Sequence, residues 1–129
     1  MTIDINTIYL QYTKYYPDYN IEPYKEDILD ILSRIDPAYG VNIYFPPGWI
    51  PLVVNLHKQI LSVLPDYKIH QVKEKFGTLR YYIDQHTDLV WHFIHEAETQ
   101  SAITCAMCSQ PGKLTKRFFN YSTLCDHCA

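Results

Sequence analysis

CAMCSQPGKLTKRFFNYSTLCDHCA, residues 105–129, holds all four cysteines of this chain in two C-x-x-C pairs, Cys105/Cys108 and Cys125/Cys128, with sixteen residues between the pairs. A C-x-x-C turn can aim two thiolates at one point, and two such turns about 15–20 residues apart complete a tetrahedral shell around zinc. The spacing therefore predicts one structural zinc ion held by Cys105, Cys108, Cys125 and Cys128. Two disulfides are the first alternative, disfavoured in a reducing compartment. A redox dithiol is the second, but it needs a single C-x-x-C beside a βαβ unit. His127 lies between the last two cysteines and is expected to face solvent or to support the shell, since four thiolates already satisfy the metal. A closed shell has no position for water or substrate, so no catalysis is expected there and the chain is not read as an enzyme.

The insert between the pairs carries Lys113, Lys116 and Arg117 next to Phe118, Phe119 and Tyr121. Cations interleaved with aromatic rings suit single-stranded nucleic acid, charge meeting phosphate and rings meeting bases. The competing expectation is a short hairpin whose rings cover the metal site. Four thiolates and one zinc ion sum to −2, which offsets the +2 of this segment.

Upstream, 129 residues with 47% apolar and 15% aromatic content, including twelve tyrosines, describe one folded domain without low-complexity tracts. No basic start followed by an apolar run is present, nor an apolar stretch of about 18 residues, so a soluble cytoplasmic protein without membrane attachment is expected. The net charge of −3 is unevenly spread: seven acids against three bases over residues 1–50, six against five over 51–104, one against three over 105–129. An acidic total argues against non-specific binding to duplex nucleic acid.

Hydrophobic spacing divides the body. A first helix runs from a Thr2 cap through Ile5, Ile8, Tyr9 and Tyr12 to Pro17. Pro23 opens a second with Ile28, Leu29, Ile31, Leu32 and Ile35 on one face, its acids Glu26, Asp27 and Asp30 favouring the helix dipole. VNIYF, residues 41–45, reads as a short strand or extended segment before the Pro46-Pro47-Gly48 turn. A third helix starts near Pro51 and carries Leu52, Val53, Leu56, Ile60, Val63 and Leu64 as far as Pro65, with Trp49 folded back on it. The period then changes: YKIHQVKEKFGTLRYYID, residues 67–84, reads as a hairpin bent near Gly77 with Leu79, Tyr81 and Ile83 on one face. A last helix over 87–103 is capped by Thr87 and buries Leu89, Val90, Phe93, Ile94 and Ala97.

Two further clusters are candidates for chemistry. Lys73, Glu74, Lys75 and Arg80 flank the bend and could hold a phosphate or an acidic partner, or form an internal set in which Glu74 pairs with Arg80. Asp88, His92 and Glu96, with His95 adjacent, share a helix face opposite the apolar stripe. They lack the H-E-x-x-H order of zinc proteases and read as an exposed polar face. No phosphate-cradling glycine loop and no nucleophile signature occurs, so no small-molecule substrate is indicated.

GWIPL at 48–52, VKEKFGTLRYY at 72–82, EAETQSAITCAMCSQPGKL at 96–114 and TLCDHCA at 123–129 together resemble an uncharacterised family of small zinc-binding proteins found in bacterial and phage genomes. The resemblance spans about residues 48–129. It implies the four-cysteine ligand set, with Cys128 at a last position that takes Cys or His. Ser109 departs from the glycine often found at that point of a zinc knuckle. The phage association implies a small inhibitor that attaches to a host enzyme or defence complex, a role that tyrosine-rich contact surface would suit.

The sequence is thus expected to form an α+β fold of N-terminal helices, a central helix–β-hairpin–helix body over 1–104 and a zinc-ribbon or treble-clef-like module over 105–129 docked on it. Its expected function is non-enzymatic binding of a protein partner, through the acidic, tyrosine-rich residues 1–45 or the metal module. Nucleic-acid binding through Lys73, Lys75, Arg80 and the Lys113–Tyr121 insert is the alternative.

Overall fold

The computed structural model describes residues 4–117 and 120–129. Among these the architecture is α+β: four α-helices, α1 (Ile5–Tyr15), α2 (Lys25–Arg34), α3 (Ile50–Leu61) and α4 (Asp88–Ser101), and two antiparallel hairpins. Strands β1 (Ile69–Lys75) and β2 (Thr78–Ile83) make one hairpin; β3 (Lys113–Arg117) and β4 (Asn120–Leu124) make the other. No described helix is long and apolar enough to cross a membrane.

Helix α1 starts later than the expected Thr2 cap, which lies outside the described residues. Asp4 caps it instead: its carboxylate accepts from the amides of Asn6 and Thr7 and from the Thr7 hydroxyl, more partners than a threonine could satisfy. Pro23 sits in a one-turn 3₁₀ segment, Glu22–Tyr24, that feeds α2. The apolar stripes dock as their spacing demands. Tyr9 and Tyr12 of α1, Ile28, Ile31 and Leu32 of α2, Val53, Leu56 and Ile60 of α3, and Val90, Ile94 and Ala97 of α4 share one core with Leu79, Tyr81 and Ile83 of β2. Trp49 is wholly buried at its centre, and truncating a tryptophan in such a site costs about 3–5 kcal/mol.

Several expected boundaries shift. Helix α3 ends at Leu61, so Val63 lies beyond it and is exposed, because the Ser62 and Leu64 amides turn back onto Lys58 and Ile60. Leu89 is half-exposed, since Thr87 caps α4 so that Val90 rather than Leu89 enters the core. Of the two expectations for residues 41–45, the extended segment holds and the strand does not form. Tyr44 makes a single parallel bridge to Lys73, its carbonyl accepting from the Glu74 amide.

In the first hairpin Phe76 (φ 52°) and Gly77 (φ 85°) both have positive φ, as a two-residue primed turn requires. Val72 stands opposite Tyr81 and Glu74 opposite Leu79 on the core side. Lys73 stands opposite Arg80 on the outer side, which Lys75 shares.

Candidate metal centre

The four cysteine sulfurs, one each from Cys105, Cys108, Cys125 and Cys128, all lie within 4.8 Å of one another and could hold a metal ion. Cys105 and Cys108 belong to a knuckle in which the Cys105 amide donates to the Gln110 carbonyl (2.7 Å) and the Ser109 amide to the Cys105 carbonyl (3.1 Å). Ser109 adopts φ 70°, the left-handed geometry for which glycine is usually recruited. Its hydroxyl donates to the Gly48 carbonyl at 2.6 Å, a bond glycine could not make. Strands β3 and β4 span the gap, and a second turn closes where the Cys128 and Ala129 amides donate to the Cys125 carbonyl. The cysteines are free thiols, with Cys108 and Cys125 sulfurs 3.5 Å apart. Burial opposes ionisation of Cys105, but amides of Cys125, Cys108 and Met107 outweigh it and bring its pKa down to about 6. Hydrogen bonding with Cys125 pushes the Cys128 thiol up to about 12. His127 is exposed and outside the cluster.

The body grips this module through residues far upstream. Gly48 donates its amide to the Ala106 carbonyl at 2.7 Å, and a Cβ there would stand 2.3 Å from the Cys105 carbonyl oxygen. Trp49 donates its ring N–H to the Thr104 carbonyl at 2.9 Å. At the other contact the hydroxyl of buried Thr123 donates to the Gly77 carbonyl at 2.6 Å, and Leu114 lies where a Gly77 side chain would be. Glu74 accepts the Gly77 amide and so shapes the turn, while Ser101 and Glu98 of α4 accept the amides of Leu79 and Tyr81. The motifs GWIPL, VKEKFGTLRYY and EAETQSAITC therefore meet around the knuckle although up to 61 residues separate the bonded pairs.

The remaining candidates are dispersed. Glu74 is committed to Gly77, and no ion pair joins it to Arg80 among the described residues, because strand alternation puts the two on opposite faces. Lys113 and Lys116 likewise fall on opposite faces of β3. Lys116 reaches over the Tyr121 ring, its nitrogen 5.8 Å from the centroid. Arg117 ends β3; Phe118 and Phe119 lie outside the described residues. His92 approaches Glu96 only to 3.9 Å on an exposed face, and His95 stacks on Trp91 rather than joining them.

One constellation had no signal in the sequence. His57, on the buried stripe of α3, hydrogen-bonds through Nδ1 to the Tyr67 hydroxyl (2.5 Å) and through Nε2 to Asp30 (2.7 Å), and Tyr67 meets the Tyr81 hydroxyl at 2.6 Å. Arg34 holds Asp30 at 3.1 Å and donates to the carbonyls of Pro65 and Tyr67. Asp30, read from sequence as a helix-dipole acid, is thus the outer end of a buried relay. Burial drives the His57 pKa down, so its neutral ring donates to Asp30 and accepts from Tyr67. Every member has a partner, and the network ties α2, α3 and the first hairpin together.

The tyrosines of residues 1–45 divide between core and surface. Tyr9 and Tyr12 are buried, the Tyr12 hydroxyl donating to the Phe45 carbonyl, whereas Tyr15 is 77% and Tyr44 48% exposed. Tyr19 is partly buried against the core, and burial, with the nearby thiol charges, raises its pKa. No family model, curated protein or solved structure matches this chain.

Proposed function

We propose that this chain is a non-enzymatic, zinc-containing binding protein that acts through protein–protein contact, in the manner of a phage-type inhibitor of a host or defence complex. Zinc suits the ligand set: at a Zn–S bond of about 2.3 Å a tetrahedral shell has edges of about 3.8 Å. That is close to the 3.5 Å between Cys108 and Cys125 and below the 4.8 Å limit of the cluster. The knuckle, hairpin and closing turn follow one another as in a treble-clef-like module. The observation that supports the functional reading is that four sulfurs cluster closely enough to fill a tetrahedral shell by themselves, while neighbouring residues hold the module on the body. A metal so bound would keep no open position for chemistry, which leaves the exposed surface as the means of action. Large apolar side chains stand out on that surface, Tyr15, Tyr44, Trp91 and Ile103 among them. Inhibition of a host or defence complex rests on the resemblance of the motifs.

Capture from host lysate tests this. Deleting residues 1–45 would strip Tyr9, Tyr12 and Ile28 from the core, so the comparison is wild type against the surface variants Tyr15→Ala and Trp91→Ala. A stoichiometric partner lost from a folded surface variant is the expected result; recovery of nucleic acid alone would overturn the reading.

One observation favours nucleic acid as the second reading. Phe76 is 69% exposed and held at positive φ, a strained setting for an aromatic residue, with Lys75 beside its ring and Lys73 and Arg80 on the outer hairpin face. Submicromolar binding of single-stranded DNA or RNA that weakens with salt and disappears in Phe76→Asn would establish it. Asparagine tolerates the turn geometry, which keeps the hairpin intact.

A further inference from the structure

A groove of about 520 Å³ lies between α1, the extended residues 42–46 and the metal module, within the size range of ligand sites. Its walls include Tyr15, Tyr16, Ile43 and Tyr44, with Met107 of the first knuckle also in the lining. Tyr15 and Tyr16 pack edge to face at 4.8 Å between centroids, which fixes the aromatic wall. The segment opposite is held by the Tyr12 hydroxyl on Phe45 and by the Glu74 amide on Tyr44, so the groove is preformed.

Its electrostatics are one-sided. Glu74 is the single charged residue in the lining, and no lysine, arginine or histidine lines the groove among the described residues. The basic neighbours Lys73 and Lys75 point to the other side of β1 by strand alternation. One Glu74 oxygen accepts the Gly77 amide, and a carboxylate has acceptor capacity beyond a single bond. A carboxylate with no cation partner among the described residues, in a groove that phenol rings also line, suits a planar cation, which can bond a carboxylate and stack on aromatic rings.

We propose that this groove binds an arginine side chain presented by a protein partner. The source of the arginine rests on the protein-binding function proposed above; the site itself does not. A guanidinium fits better than an ammonium because a flat delocalised cation can lie against Tyr44 or Tyr16 while its edge meets Glu74.

The test is an amide NMR titration of the full chain with the peptide acetyl-Gly-Ser-Arg-Ser-Gly-amide, beside versions carrying citrulline or lysine in place of arginine. The arginine peptide should give saturable shifts at Ile43, Tyr44, Glu74 and Met107. Citrulline, isosteric but neutral, should give none, and lysine should bind more weakly. Glu74→Gln keeps an acceptor for the Gly77 amide, preserving the turn, and should weaken binding about tenfold. Gln11→Arg, on the exposed face of α1 at the groove, should block the peptide with the chain's own guanidinium. Shifts that map elsewhere, equal binding of citrulline, or binding unchanged in both variants would overturn the proposal. A lysate partner that survives Glu74→Gln and Gln11→Arg would leave the protein-binding function standing and refute the groove as its arginine site.

Discussion

Replacing Gly48 with alanine adds one methyl group at the tightest contact between the body and the metal module. The new Cβ would stand 2.3 Å from the Cys105 carbonyl oxygen and 2.5 and 2.6 Å from the carbonyl carbon and oxygen of Ala106. These are backbone atoms of the knuckle itself, so no side chain can rotate away, and the knuckle must withdraw by about 1 Å to reach ordinary contact distance. Three hydrogen bonds cross this contact: Gly48 amide to Ala106 carbonyl, Ser109 hydroxyl to Gly48 carbonyl and Trp49 ring N–H to Thr104 carbonyl. At about 1 kcal/mol net apiece their loss amounts to about 3 kcal/mol. The reduced entropy of the unfolded chain returns about 0.4–1 kcal/mol. The expected net loss is about 2–3 kcal/mol, a fall in Tm of roughly 10 °C for a chain of this size. Thermal denaturation of the metal-loaded protein reads this loss, and release of metal to a chromogenic chelator should quicken because Cys105 lies in the displaced knuckle. A Gly48→Ala protein within about 0.5 kcal/mol of wild type, releasing metal at the wild-type rate, would refute the account of this contact.

Metal analysis of the purified protein should give about one zinc per chain, and chelation or Cys105→Ser should disorder the β3–β4 module before the helices, as read by amide exchange. His57 supplies a pH dependence. Its folded pKa lies below the ordinary 6.5 because of burial, so the unfolded chain binds more protons, and its contribution to stability should fall as pH drops below about 6.5 in urea titrations, the slope being smaller in His57→Leu. That substitution should itself cost about 3 kcal/mol or more, since it leaves Tyr67 and Asp30 without their partner. At Ser109, alanine should cost about 1–2 kcal/mol by losing the bond to Gly48 while keeping φ 70°, whereas glycine should be near neutral because relief of the backbone offsets that bond.

What the sequence by itself determined is what depends on short spacings. Two C-x-x-C turns place their sulfurs by local geometry, so the metal cluster was legible from four residues. Period 3.6 placed Ile28, Ile31 and Leu32, or Val90, Ile94 and Ala97, on buried faces, and period 2 placed Leu79, Tyr81 and Ile83 on the inner side of the hairpin. Docking of the elements decided the rest. Periodicity says that a face is buried but not what it meets, so His57 was indistinguishable from any residue on the α3 stripe until Asp30 and Tyr67 arrived from 27 residues before it and 10 after. Glu74 looked like half of an ion pair with Arg80. Only the register of β1 on β2 turned it inward, toward Gly77 and the groove. Gly48 shows the reason most directly: its lack of a side chain matters solely because a knuckle some sixty residues later packs its carbonyls into that space, a coincidence in three dimensions that no local pattern encodes.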